Sequence, residues 1–304
     1  MLDGLLKDQV RSDPTIAGML TSYNGKPAFF YQKSPPDTDR EWSKPCYPRA
    51  DYNIDMRYDP ERKVSGVLSV NIWCSSESNA MPEDIEKQLV ELISGTFYTA
   101  TDKVTVYASW NRSDAFVFES RTQNNTSIPE VFGVSIQFDL TLFPDQITTA
   151  PDPLQGLNLW IKMFSAKMHV IAFDDIPAIW KPTDNQPAIY WRFADATSDN
   201  RQSYAVNWYN GTFAGHVFTS SVTERNKWIK AIVEEMQLKG EVVLADKSPM
   251  FINRIAFKPS ADPLREGQIA ITGNYGVLAQ HRKEHAEMAM EQFKLSYGGA
   301  SGKE

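Results

Sequence analysis

The stretch from Gly66 to Tyr98 limits the possible folds more than any other, because the hydrophobic period changes inside it from that of a strand to that of a helix. In GVLSVNIWCSS, Leu68, Val70, Ile72 and Cys74 alternate with Val67, Ser69, Asn71 and Trp73, the pattern of a strand with one face on a core. PEDIEKQLVELISG follows. Pro82 suits a first helical turn, where its missing N–H costs nothing, and Ile85, Leu89, Leu92 and Ile93 share one face before Gly95. Glu83 and Asp84 suit the positive end of the helix dipole. A second strand-to-helix unit, GHVFTSSVTERNKWIKAIVEEMQLKG, runs from Gly215 to Gly240, with Trp228, Ile229, Ile232, Val233 and Met236 on its apolar face. The pair of units predicts a duplicated chain.

Flanking segments extend the duplication. LDGLLKD (2–8) is echoed by LQGLNLW (154–160), and PAFF (27–30) by PAIW (177–180), each ahead of a polar, proline-bearing loop: Ser34 to Pro48 in the first copy, Lys181 to Gln186 in the second. Asp13-Pro14 interrupts the N-terminal helical pattern and predicts one broken helix. The residues from Asp51 to Tyr58 alternate and turn through Asp59-Pro60-Glu61-Arg62 into the Gly66 strand. Downstream, VTVYASW, AFVFE, TSIPE and GVSIQFDLTLF are answered in order by EVVL, FINRIAF, SADPLRE and GQIAITGNYGVL. PAIYWRF (187–193) and SYAVNWY (203–209) read as strands, either of which could match the Asp51 strand. Asn210-Gly211 is the strongest short hairpin signal in the chain. PDQITTAPDP (144–153) has the composition of a linker. The expectation is an α+β protein of two tandem, similar α/β-sandwich domains, each a mostly antiparallel sheet flanked by helices. The first copy covers residues 1–146 and the second 147–279, with a C-terminal helix (Gln280 to Leu295) and flexible tail in 280–304.

Composition narrows the chemistry. Among 304 residues, 42% apolar, no run approaches the length of a membrane span and no signal peptide is visible, so the chain reads as soluble and unsecreted. A formal net charge of −7 without a basic stripe argues against gripping a phosphate backbone. Cys46 and Cys74 lack metal-ligand spacing and read as reduced thiols, Cys74 in a core. His281-Arg-Lys-Glu284-His285 fits H-x-x-E-H, two imidazoles one helical turn apart with a carboxylate between them, and a zinc-dependent hydrolase built on His281, Glu284 and His285 is the enzymatic alternative. It lacks a downstream third ligand, since only 19 residues follow, and lies on a polar segment with no walls to exclude water. His169 and His216 have no neighbours that suggest ligation, and the adjacent pairs Asp174-Asp175 and Glu234-Glu235 point their carboxylates in different directions. No nucleophile elbow, phosphate loop or dinucleotide fingerprint is present. The expectation is no enzyme: no catalytic, cofactor-binding or metal residues, and no cofactor.

LDGLLKDQVRSDPTIAGML, the P-x-Φ-Y strand near a proline-bearing loop, and GVLSVNIWCSSESNAMPEDIEKQLVELISGTFY together resemble the tail terminator, or tail completion, proteins of long-tailed bacteriophages. In that family a strand like Leu68 to Ser75 runs into a helix like Ile85 to Ile93. The resemblance covers residues 2–143 by sequence and 154–278 by element order. It implies a structural virion protein at the neck end of the tail, assembled in the host cytoplasm. Such a protein caps the tail tube, ends tail polymerisation and joins the tail to the neck and capsid. Family rings are commonly hexameric, so two modules per chain imply a homo-oligomer of three chains closing a pseudo-hexameric ring. The implied partners are the tail tube protein, the neck or connector protein and the tail sheath, with DNA passing through the lumen without specific binding, and no membrane. A neck connector or baseplate component of the same kind of particle is the nearest alternative.

Overall fold

The computed structural model describes residues 2–57, 65–99, 104–118, 131–146, 151–198 and 205–278. The chain begins with two helices, α1 (Leu2–Ser12) and α2 (Pro14–Met19), split where the sequence places Asp13-Pro14. The Asp13 carboxylate accepts from the N–H groups of Thr15 and Ile16 at 3.0 and 2.9 Å, and Pro14 opens the helix whose first turn needs no donor from it. A small hairpin, β1 (Ser22–Tyr23) and β2 (Lys26–Pro27), is followed by β3 (Phe29–Tyr31), β4 (Arg49–Met56) and β5 (Gly66–Ser75). Then come α3 (Pro82–Ile93), β6 (Thr96–Thr99), β7 (Thr105–Phe118) and β8 (Val131–Phe143). The second half runs α4 (Pro153–Phe164), β9 (His169–Val170), β10 (Ile179–Trp180), β11 (Ala188–Ser198), β12 (Val206–Phe218), α5 (Val222–Lys239), β13 (Glu241–Val243), β14 (Pro249–Phe257) and β15 (Ile269–Leu278). No helix among the described residues is long and apolar enough to cross a membrane.

Two compact units result, and the protein is an α+β chain of two tandem sheets with helices. The first unit is Met1–Asp145 together with Ile171–Gln186, and the second is Gln146–Val170 with the chain from Pro187 onward. The first sheet has the order β10-β6-β7-β8-β5-β4-β3 and the second β13-β14-β15-β12-β11-β9. From β6 and β13 inward the orders correspond strand for strand. Neighbours are antiparallel, except that β3 on β4 and β9 on β11 are parallel, at the same place in both sheets. The units also place their helices in similar positions: α1 and α2, or α4, before the first edge strand (β3, β9), and α3 or α5 between β5 and β6 or β12 and β13.

The cores follow from the two periods. Along β5 the buried side chains are Leu68, Val70, Ile72 and Cys74, and Leu6, Val10, Ile85 and Leu89 from α1 and α3 pack over them. In the second unit Leu157 and Ile161 of α4 and Ile229, Ile232, Val233 and Met236 of α5 cover Ile189, Trp191, Phe213, Val217 and Ile271. Truncating any one of these fully buried aliphatic side chains to Ala costs about 2–5 kcal/mol.

Several expectations change in the folded chain. Asn210-Gly211 makes no turn; both lie inside β12, paired with Thr197 and Ala196 on one side and Asn274 and Gly273 on the other. The Asn210 side-chain carbonyl accepts from the amides of Asn274 (3.0 Å) and Asn253 (3.3 Å), and a Cβ on Gly211 would fall 2.7 Å from the Phe213 ring, so this pair serves a cross-strand amide contact and ring packing. VTVYASW and AFVF are one continuous strand, β7, with a register shift between Trp110 and Arg112 in place of a turn. The repeats therefore align differently: EVV answers β6, FINRIAF answers the whole of β7, and β11 answers the Asp51 strand. PAFF contributes β3, whose counterpart is β9; PAIW holds β10, which has another task.

Candidate assembly interface

Sheet edges carry unpaired N–H and C=O groups, and the two units treat the same edge differently. In the first unit β6 is covered. β10 lies antiparallel to it with Trp180 opposite Phe97 and Ile179 opposite Tyr98, and the Thr99 N–H donates to the Ala178 carbonyl at 2.9 Å. The Trp180 ring stacks on Phe97, centroids 6.0 Å apart and 27° between planes. Lys181 then reaches back over the helix end: its Nζ donates to the Glu91 carbonyl of α3 at 2.7 Å, satisfying one of the acceptors a helix leaves open in its last turn. Gly95, at φ 84°, makes room for this. A Cβ there would sit 3.3 Å from Lys181 Cε. Partial burial lowers the Lys181 ammonium pKa from its ordinary value, and the Glu91 carboxylate draws it back up. Gln9 and Asp13 of the α1 end, Gln88 and Glu91 of α3, and Thr96 of β6 form with this segment a groove of about 390 Å³.

In the second unit the corresponding edge is β13. The Ile252 N–H bonds the Gly240 carbonyl and the Leu244 N–H bonds the Ser248 carbonyl, both at 2.9 Å, so the alternation of an antiparallel ladder turns the backbone groups of Glu241 and Val243 away from β14. Beside this edge is a groove of about 530 Å³ between Trp160, Met163 and Phe164 of α4, Glu235 and Lys239 of α5, and Glu241 and Val243. Its floor is aromatic: Trp160 and Phe164 stack with centroids 5.3 Å apart. Met163 is 73% exposed and Val243 49%, high for apolar side chains at the rim of one groove. α3 and α5 hold the same place in the two element orders, so this groove corresponds to the first one, with no strand on it among the described residues.

The loop from Ser34 to Pro48 is organised around Trp42 and Arg49. The Arg49 guanidinium lies 5.4 Å over the Trp42 ring and 4.5 Å over Tyr47, and pairs with Asp37 at 2.5 Å. Trp42 packs edge-on against Tyr23 at 4.9 Å and donates through Nε1 to the Pro36 carbonyl at 3.0 Å. Tyr47 donates to Asp37 at 3.0 Å, and burial pushes its phenol pKa up to about 12. Glu41, Trp42 and Ser43 form a bridge to the β1 hairpin: the Asn24 N–H bonds the Glu41 carbonyl and the Ser43 N–H bonds the Ser22 carbonyl, each at 2.9 Å.

Catalytic readings gain no geometry. His281, Glu284 and His285, like the expected helix Gln280 to Leu295, lie outside the described residues. Among the described residues no three His, Cys, Asp or Glu side chains gather as a metal site. Cys74 is buried in the first core, where desolvation pushes its thiol pKa up to about 12, and Cys46 is a second free thiol, also raised, chiefly by burial. His216 is buried; its Nδ1 lies 2.6 Å from the Pro263 carbonyl, so Nδ1 carries the proton, and burial lowers the ring's pKa to about 4. A neutral, buried imidazole held between the Pro263 carbonyl and Tyr190 is a packing element of the second unit. Sequence reading missed β10 and both grooves. The available signal was Trp-Lys-Pro at 180–182 against Trp-Ser-Lys-Pro at 42–45, which marks these two segments, and no others, as counterparts.

No family model matches the chain, no curated protein matches it, and no solved structure matches it.

Proposed function

We propose that this chain is a structural ring protein of the tail terminator kind, capping a tail tube and joining it to the neck of a virion. The observation that supports the reading most is the strand-for-strand repetition of one sheet order in both halves, with the first sheet completed by a strand from the second half's sequence. A module that takes an edge strand from the next module in line is suited to head-to-tail assembly, and a head-to-tail interface closes into a ring when its rotation divides a full turn. With two modules per chain, three chains close six positions. The sequence resemblance supplies the biological setting. The net charge of −7 fits it, because an acidic collar without a basic stripe lets DNA pass instead of holding its phosphates.

Imaging of particles assembled without this protein tests the role. Tails of uncontrolled length, or tails without heads, are expected; tails of normal length joined to capsids would overturn it.

A further inference from the structure

We propose that the groove beside β13 is the receptor for a second copy of this chain, which lays its Arg40–Lys44 segment along β13 as β10 lies along β6. This deepens the ring reading above by naming the contact between chains.

Four observations carry it. The first is the internal precedent: the same module edge, β6, already takes a strand, with a Trp over the sheet and a Lys on the helix end. The second is equivalence of the donors. β10 lies in the seventeen-residue connection from β9 to β11 (171–187), and Arg40–Lys44 lies in a seventeen-residue connection from β3 to β4 (32–48), with Trp42-Ser43-Lys44-Pro45 within two residues of the place where the other has Trp180-Lys181-Pro182. The third is backbone geometry. Because Glu41 and Ser43 bond the β1 hairpin, the N–H and C=O of Trp42 between them turn away from it, while the Trp42 ring itself stays buried against Tyr23. Glu241 and Val243 present matching outward groups on β13. The fourth is charge: the donor segment carries exposed Arg40 and Lys44 against one acid, Glu41, and the groove carries Glu235 and Glu241 against one cation, Lys239, which lies 3.7 Å from Glu235.

Transferring the β10 register puts Trp42 opposite Glu241, Arg40 opposite Val243, and Ser43 where Lys181 stands, with Lys44 one residue beyond it. The shared partner chemistry is β-strand addition, with main-chain hydrogen bonds giving affinity and the apolar rim of Met163 and Val243 giving fit.

The test uses full-length chains carrying Cys46→Ser. Arg40→Cys in one preparation and Val243→Cys in another are mixed and treated with a short bismaleimide. The mixture is expected to give a covalent pair of chains, and neither preparation alone to do so. Val243→Pro, which removes an outward N–H and no bond to β14, is expected to abolish the oligomer seen by native mass spectrometry while leaving far-ultraviolet circular dichroism unchanged. Absence of the mixed cross-link, or an intact oligomer in folded Val243→Pro, overturns the strand contact but leaves a ring built through another surface standing. A wild-type chain that stays monomeric at all concentrations overturns both.

Discussion

β6 and β13 hold the same place in the two sheet orders, and among the described residues only β6 has a further strand on it, a contrast that separates two uses of one edge. On β6 the covering strand buries Phe97 completely and leads Lys181 onto the α3 end. On β13 the residues that would lie under such a strand remain at the surface, and the polar floor of the first groove (Gln9, Asp13) has been replaced by stacked Trp160 and Phe164. An edge left unprotected by proline, by an inward-pointing charge or by a bulge invites another strand. The second unit's edge has none of these among its described residues, only Glu241 at its start.

The largest expected effect separates the edges by burial. Phe97→Ala should lower the stability of the first unit by about 3–5 kcal/mol, whereas Val243→Ala should change the second unit by no more than about 0.5 kcal/mol in the dissociated chain; denaturant titration read unit by unit checks both. Equal losses at the two positions would break the comparison.

The second effect belongs to one unit alone, because the four histidines of the sequence all lie outside the first unit. His216 titrates near 6.5 when unfolded and at about 4 when folded, depressed chiefly by burial, with Arg192 adding to the depression and Asp262 and the Pro263 carbonyl opposing it. The unfolded state therefore binds more protons between these values. The stabilisation is complete above about pH 6.5 and is lost as pH falls to about 4, amounting to at most about 3 kcal/mol. Stability against pH, compared with His216→Gln, should show this loss in the second unit and a flatter profile in the variant.

Two glycines sharpen the comparison further. Gly95 and Gly240 both follow a helix at positive φ, but only Gly95 has a neighbour, Lys181, within reach of a new Cβ. Gly240→Ala should cost about 1 kcal/mol from backbone conformation alone, and Gly95→Ala about 1–2 kcal/mol because Lys181 must also shift; thermal unfolding of each variant measures the difference. Smallest of all, Lys181→Met should cost less than about 1 kcal/mol, since the lost hydrogen bond to Glu91 is still reached by water. Denaturation of this variant with and without Gly95→Ala should show that the two effects do not add.

Sequence pattern disclosed β5, α3, the broken N-terminal helix and an α+β chain of two sheets in tandem, because the elements that carry these have one face on a core and a period long enough to count. It failed where partners distant in sequence decide the structure. Asn210-Gly211 is turn chemistry by local preference, yet Asn253 and Asn274 across the sheet hold it extended. β10 has two residues, too few for a period, and its identity as a strand comes from the β6 edge. The grooves draw on two helices and a strand each, so no contiguous segment announces them. The Arg49 cluster escaped for a related reason: Asp37, Trp42, Tyr47 and Arg49 look like loop composition until the guanidinium gathers them.

Native mass of the assembled protein bears most directly on the claim that one duplicated chain closes a six-position collar. Three chains, held together and dissociating only when the β13 edge is altered, is the expected result. A stable monomer, or a ring of six chains in the assembled particle, would contradict it.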